Sequence, residues 1–256
     1  MPADISVLAT PGQTTTVDVA QRPSESPTIR PWSVGVEFGA AVTPALGGDV
    51  TGCSGCDRSV GAGGRIIGRA GHALSKAFTL TLDAGYLAVG QDVDRSANAV
   101  AVGNSINTGT ASDSLSMKGG LVGLSVAYRL PSTVESFVRA GAGSFFGWVR
   151  DERRGDLRTA ATEAPYTVQQ TQRQPAIYGY LSLAFGIGFR PTSAFRVGAG
   201  LDAMAMVALR QPQWDGECQA CLISGGRDGD AWYPNDALAG RFVMLVSPFV
   251  DAGYAF

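Results

Sequence analysis

Apolar side chains alternate with small or polar ones in eight segments of the chain. From Trp32 to Val42 the even positions are all apolar, whereas the odd positions are mostly small, hydroxylated or acidic. A period of two predicts a β-strand with one apolar and one polar face. The glycine-rich segment near residues 60–70 carries the weakest signal. The other segments lie near residues 78–88, 122–128, 138–148, 177–189, 195–209 and 242–256.

The charged residues of these segments lie on the polar face of each predicted strand. Glu37, Asp83 and Arg139, for example, have the parity opposite to that of their apolar neighbours. A soluble barrel, such as a lipocalin-like ligand binder, would turn its apolar face inward, whereas a membrane barrel turns it outward. Parity alone does not separate these two arrangements, so other features have to decide.

The lengths of the connections favour the membrane arrangement. Three short connections alternate with four long ones, which lie near residues 44–59, 91–114, 151–175 and 211–240. Outer-membrane barrels place short turns and both termini in the periplasm and long loops outside the cell. The sequence therefore predicts an all-β fold, an eight-stranded antiparallel up-and-down transmembrane barrel over residues 32–256, with periplasmic N- and C-termini.

Aromatic residues of the apolar face cluster at the two ends of the predicted strands. Such residues are typical of membrane interfaces, because an apolar ring can carry an N–H or O–H group toward the headgroups. We expect a girdle near the short turns and termini and a second one toward the long loops. The residues predicted to form them are Trp32, Phe78, Tyr128, Phe189, Phe195, Tyr254 and Phe256, and then Phe146 and Trp148.

The last strand adds a resemblance to a known class. It ends in Phe256, with Tyr254 two positions earlier on the same face. This ending resembles the C-terminal signal that the barrel-assembly machinery reads in bacterial outer-membrane proteins, and the hairpin pattern resembles the small OmpA- and OmpX-like barrels. Pro248 departs from the pattern, because it removes a hydrogen-bond donor inside a strand. We expect a local bulge there.

The composition agrees with strands that face lipid with every second residue. The 256 residues are 45% hydrophobic and only 16% charged, and 34 of them are glycine. No run of about 18 uncharged apolar residues is present, which excludes a transmembrane helix. The formal net charge of −2 provides no basic surface for nucleic acid.

The single histidine, His72 in a predicted short turn, excludes most histidine-dependent catalytic sets, so we expect no catalytic residue and no cofactor.

Six charged residues of the inward face are predicted to meet at one height inside the barrel. An eight-stranded barrel is about wide enough for side chains to fill, and buried charges persist only when they are paired. The favoured interpretation is a salt-bridged plug, and the alternative is a proton or cation pathway. The predicted network consists of Glu37, Arg65, Asp83, Arg139, Asp202 and Asp251.

Four cysteines form two CxxC pairs, Cys53 with Cys56 and Cys218 with Cys221, in the first and last long loops. These loops leave neighbouring strands once the barrel closes, so all four sulfurs could converge. In an oxidising exterior, disulfides are the ordinary outcome, either within each pair or between the loops. A four-thiolate zinc site needs the same proximity, and a reduced or redox-active state is the third possibility.

Residues 1–31 lack sustained periodicity and contain five prolines, which predicts a flexible periplasmic segment. No cationic and apolar leader precedes it, so we expect a secretory signal to be missing from this sequence.

Together these features favour a monomeric, non-enzymatic structural or surface-interaction protein. The expected partners are outer-membrane lipid and lipopolysaccharide, the barrel-assembly machinery, and a periplasmic or extracellular protein. Two alternatives stay open: a small-solute or ion channel, which needs an open lumen, and a rim-acting enzyme, which needs a converged nucleophile and base. Arginines that could contact lipopolysaccharide phosphates, or simply form a solvated loop face, are Arg150, Arg153, Arg154 and Arg158.

Overall fold

The structure is a computed structural model in which nearly every described residue belongs to an antiparallel sheet. It describes residues 31–46, 57–101, 105–130, 135–159, 162–213, 229–232 and 237–256. Its strands are β1 (Trp32–Thr43), β2 (Asp57–Arg58), β3 (Gly61–Ala73), β4 (Phe78–Ala101), β5 (Ser105–Leu130), β6 (Glu135–Thr159), β7 (Thr162–Phe189), β8 (Phe195–Ala208), β9 (Gly229–Trp232) and β10 (Phe242–Ala255).

Eight of these strands close into a barrel. The hydrogen-bonded order is β4, β3, β1, β10, β8, β7, β6 and β5, and β5 pairs again with β4. Where β1 begins beside the end of β10, the amide of Trp32 donates to the carbonyl of Phe256 at 3.2 Å, and the amide of Phe256 donates to the carbonyl of Trp32 at 2.9 Å. This closure confirms the predicted eight-stranded antiparallel barrel. Among the described residues, no helix is long and apolar enough to cross a bilayer.

The outside of the barrel is apolar and the inside holds the charges. Leu82, Leu124 and Leu181 are each more than half exposed, at 53%, 58% and 67%, whereas Glu37 and Asp202 are 0% and 2% exposed. A soluble protein shows the opposite distribution. The apolar face predicted from the alternation is therefore the outer face.

Two predicted loops are wrong, because β4–β5 and β6–β7 continue as long hairpins through most of residues 91–114 and 151–175. The alternation persists there, but the apolar residues change sides. In β5, Val122 and Leu124 face outward at 51% and 58% exposure, whereas Leu115 and Met117 face inward at 2% and 1%. The outer face becomes polar once the strands extend beyond the apolar belt.

We call the half of the barrel nearer the hairpin tips the upper half. Its inner face forms a hydrophobic core, which the alternation in the sequence did not predict. Phe145 and Tyr178 are fully buried and meet edge to face, with ring centroids 6.1 Å apart. Inward glycines make room for such rings: a Cβ at Gly123 would lie 2.6 Å from the Ala142 carbonyl oxygen and would also meet the Tyr180 hydroxyl. The lumen of this half is therefore filled rather than hollow.

Two local predictions have different outcomes. The weakest predicted strand, near residues 60–70, is present as β3.

The bulge expected at Pro248 is wrong, because Pro248 pairs with Leu201 of β8 without a register shift. On the β1 side, the pairing resumes in the same register beyond a gap opposite Ala40 and Ala41. The missing proline donor is therefore accommodated by an interruption in the ladder.

The glycine contacts generate a stability prediction. We expect Gly123→Ala to lower the free energy of unfolding by about 1–3 kcal/mol, the usual cost of overpacking. Gly179→Ala is the matched control, because a Cβ at Gly179 would meet nothing within 4 Å. Denaturant unfolding in detergent micelles, followed by tryptophan fluorescence, measures both variants. Equal stability of the two would contradict this account of the inward glycines.

Candidate functional site

Inside the lower half of the barrel, Glu37 of β1 binds three arginines from two sides of the lumen. One carboxylate oxygen accepts a hydrogen bond from Arg65 Nη2 at 2.7 Å. The other accepts from Arg69 Nη1 at 2.7 Å and from Arg139 Nη2 at 2.8 Å. The Glu37 side chain is 0% exposed, so these contacts replace its hydration. We call this group, together with Asp202 and Asp83, the Glu37 cluster.

Two further carboxylates complete the Glu37 cluster. Asp202 of β8 accepts from Arg65 Nη2 at 2.8 Å and lies 3.8 Å from Arg139 Nη2. Asp83 of β4 lies 3.4 Å from Arg69 Nε and accepts a hydrogen bond from the Ser125 hydroxyl at 2.8 Å. Three guanidinium groups thus face three carboxylates, and the formal charge of the cluster is balanced.

A second charged group lies closer to the end of the barrel that carries the short turns and the chain termini, which we call the short-turn end. Asp251 accepts from Arg196 Nη1 at 2.9 Å. Glu135 accepts two hydrogen bonds from Arg190, at 2.7 and 3.0 Å, and lies 3.5 Å from Arg196 Nε. The Arg196 guanidinium lies 4.5 Å from the centre of the Phe137 ring.

The structure places all six residues of the predicted lumen network inside the barrel but divides them between these two groups. Glu37, Arg65, Arg139, Asp202 and Asp83 lie in the Glu37 cluster. Asp251 instead pairs with Arg196.

Arg69 is not among the six residues of the predicted network, although it links Glu37 to Asp83. Arg69 lies four residues after Arg65 with the same inward parity, and this signal could have identified it. Nothing comparable pointed to Ser125, which donates a hydrogen bond to Asp83 from the adjacent strand β5.

Above the Glu37 cluster, short segments next to β1 and β10 cover the hydrophobic core. The amide of Leu46 donates to Gln91 Oε1 at 2.7 Å, and the amide of Gly240 donates to the Leu46 carbonyl at 2.9 Å. The Tyr178 hydroxyl donates to the Gly240 carbonyl at 2.9 Å. Leu46 and Leu238 are 2% and 1% exposed, so these segments, which we call the cap, pack onto the core on the side away from the short turns.

The aromatic residues predicted for the two girdles all lie on the outer surface. These residues are between 37% and 67% exposed. Near the short turns, Phe78 and Tyr128 form a ring pair with centroids 5.0 Å apart. Toward the other end, the Arg173 guanidinium lies 4.5 Å from the Trp148 ring centre. The residues concerned are Trp32, Phe78, Tyr128, Phe189, Phe195, Tyr254, Phe256, Phe146 and Trp148.

Other predicted features fall elsewhere. Cys53, Cys56, Cys218 and Cys221 lie outside the described residues, as does the segment before residue 31. His72, expected in a turn, is part of β3, and its ring lies 4.5 Å from that of Trp32. In the parts of the chain that the structure describes, no group of three or more histidine, cysteine or acidic side chains is arranged to hold a metal ion.

A closed backbone, an apolar outer surface and charges held inside define the class of this protein. Only structures that satisfy every backbone hydrogen bond internally are stable across lipid, and a closed barrel is one of them. The chain is a small eight-stranded transmembrane β-barrel of the kind found in the outer membrane of Gram-negative bacteria.

No protein-family model and no curated protein matches the chain. Among solved structures it is similar to Neisserial surface protein A (NspA), at 9% identity and a TM-score of 0.37 over 88% of this chain and 97% of that one. It is also similar to Ail, the attachment invasion locus protein of Yersinia pestis, solved with the heparin analogue sucrose octasulfate, at 8% identity and a TM-score of 0.32 over 88% and 99% of the two chains. The outer membrane protease OmpT from Escherichia coli matches at 12% identity and a TM-score of 0.38 over 90% and 98%. The assignment to the outer-membrane class rests on the geometry of the chain itself.

The Glu37 cluster generates a second prediction. We expect Glu37→Gln to lower the free energy of unfolding by about 3–5 kcal/mol, because it leaves buried arginines without their counter-charge. Glu152→Gln is the matched control: Glu152 also binds two arginines, Arg150 and Arg154, but their side chains are 52% and 66% exposed. We expect Glu152→Gln to lower the free energy of unfolding by only about 0–1 kcal/mol.

Unfolding in detergent micelles measures both variants, and the unboiled electrophoretic mobility checks that each one folds. A folded Glu37→Gln barrel as stable as the Glu152→Gln barrel would show that the cluster contributes little to stability.

Proposed function

We propose that the protein is a non-conducting, non-enzymatic outer-membrane barrel that acts as a structural and surface-interaction protein. The observation that carries this proposal is the filled lumen. From the short-turn end upward, a neutral cluster of ion pairs, a hydrophobic core and a hydrogen-bonded cap follow one another. In this proposal the apolar core opposes the passage of ions, because it offers no groups to replace their hydration. The core and the cap together leave water without a continuous polar path.

The long hairpins are the proposed interaction surface. In this proposal the short turns and both termini lie in the periplasm, and β4–β7 project their upper halves outside the cell. Support comes from the change of the outer face just above Trp148, where Lys118, Arg150 and Arg173 are exposed. Basic side chains at this height suit the phosphate groups of lipopolysaccharide. The barrel-assembly machinery and a protein partner remain further proposals.

The two alternative functions receive less support. A channel needs an open lumen, whereas Phe145, Tyr178 and Met206 are buried at its centre. A rim enzyme needs a nucleophile beside a base, and the chain's single histidine, His72, lies in β3 at the short-turn end.

The proposal includes disulfides that staple the first and last long loops. Support comes from the contact between the segments that lead into them, in which Gly240 donates to Leu46 at 2.9 Å. We expect the intact mass of the folded protein to increase by about two hydrogens per bridge on reduction. Metal analysis of the same sample separates disulfides from a zinc site. An unchanged mass on reduction, together with bound zinc, would overturn the disulfides and favour a zinc site.

Conductance across planar bilayers tests the proposed function. We expect the heat-modifiable monomer to give a closed trace at all applied voltages, because the core and the cap block the lumen above the ion pairs. Steady ohmic steps from the folded monomer would overturn the proposal and favour a channel. A porin inserted under the same conditions controls for bilayer quality.

A further inference from the structure

At the short-turn end, the barrel opens into a chamber of about 130 Å³ beneath the Glu37 cluster. Its rim holds Arg129, Arg190 and Arg196 together with Glu135 and Asp251. Among the described residues of the rim, three guanidinium groups against two carboxylates leave one positive charge. The Glu37 cluster above does not offset this charge, because its own charges balance.

The rim arginines also retain unused hydrogen-bond donors. Arg190 binds Glu135 with two N–H groups, and Arg196 binds Asp251 through Nη1. Among the described residues, Arg196 Nη2 is buried without a hydrogen-bond partner, and the Glu135 carboxylate oxygen nearest to Arg196 Nε lies 3.5 Å away, with no hydrogen bond between them. Arg129 has its nearest described carboxylate oxygen, on Glu135, at 3.9 Å. Buried donors without an acceptor are rare in folded proteins, and they indicate a place where a ligand, ion or water accepts.

The Arg196 guanidinium lies over two glycines and against an aromatic ring. A Cβ added at Gly188 would lie 2.6 Å from Arg196 Nε, and one added at Gly198 would lie 3.0 Å from Arg196 Nη2. The Phe137 ring lies against the same guanidinium. The hydrogen bond to Asp251 and the Phe137 ring restrict the position of this guanidinium before any ligand arrives, which lowers the entropic cost of binding.

We propose that this chamber is a binding site for a small oxyanion of the phosphate class, held by Arg129, Arg190 and Arg196. Guanidinium groups bind phosphate oxygens through paired, charge-assisted hydrogen bonds. The three arginines approach from β5, from the end of β7 and from β8, so a tetrahedral anion can meet all of them, whereas a planar carboxylate offers two oxygens in one plane. A cavity of about 150 Å³ holds a molecule as large as benzene, so the volume suffices. The site goes beyond the proposed function and does not depend on whether the barrel conducts.

Calorimetric titration of the folded full chain in detergent micelles with inorganic phosphate tests the site, with ionic strength held constant by chloride. We expect saturable binding by the wild type. We expect Arg190→Gln or Arg196→Gln to weaken the phosphate affinity by roughly tenfold to hundredfold, because each variant removes charge-assisted hydrogen bonds to the anion. The Arg190 side chain is 38% exposed, so its replacement tests the site with little risk to folding.

Arg150→Gln is the matched control, because Arg150 is exposed on the outer face of β6 near the opposite girdle. It is expected to leave phosphate affinity unchanged, which separates the chamber from a phosphate contact at the lipid surface. Absence of saturable binding at constant ionic strength would overturn the proposal. So would an unchanged affinity in both Arg190→Gln and Arg196→Gln, or an equal loss in Arg150→Gln.

Discussion

The need to pair every backbone N–H and C=O group away from water governs this structure. In lipid an unpaired group costs several kcal/mol, so a sheet that crosses the bilayer has to close on itself. Here β1 pairs with β10 and β4 pairs with β5, which leaves no open edge within the barrel. Closure then determines the surroundings of the side chains. Within the bilayer, one face of each strand meets lipid, and the other faces the remaining seven strands across a narrow interior.

The narrow interior is filled by two different chemistries. Near the short turns, carboxylates and guanidinium groups compensate one another, and the Arg139 guanidinium lies near the Phe137 and Phe249 rings. Higher up, the inward positions are apolar and pack as they do in a soluble core. The first layer has directional contacts, because Glu37 binds arginines of β3 and β6 in this register. The second layer supplies close packing without that directionality.

Much of the fold could be predicted from the sequence, because lipid and lumen impose opposite demands on successive residues. The outward parity of Leu82, Leu124 and Leu181 was visible directly. The upper hairpins were not, because the apolar residues change parity between Met117 and Val122 and the sequence then looks like a loop. The exact ion pairs were also beyond reach: Arg139 meets Glu37 across the lumen, and that contact depends on the stagger of several strands, which no local pattern encodes.

The length of β4–β7 has a mechanical consequence. These strands run without a break from the short-turn end to the hairpin tips, and the ladder between β4 and β5 is continuous from Phe78 to Ala101. A pull applied at a tip along the strand direction therefore loads many hydrogen bonds in parallel, in shear, rather than a flexible tether. A force applied at the top of these strands therefore reaches the membrane-embedded part of the barrel with little slack.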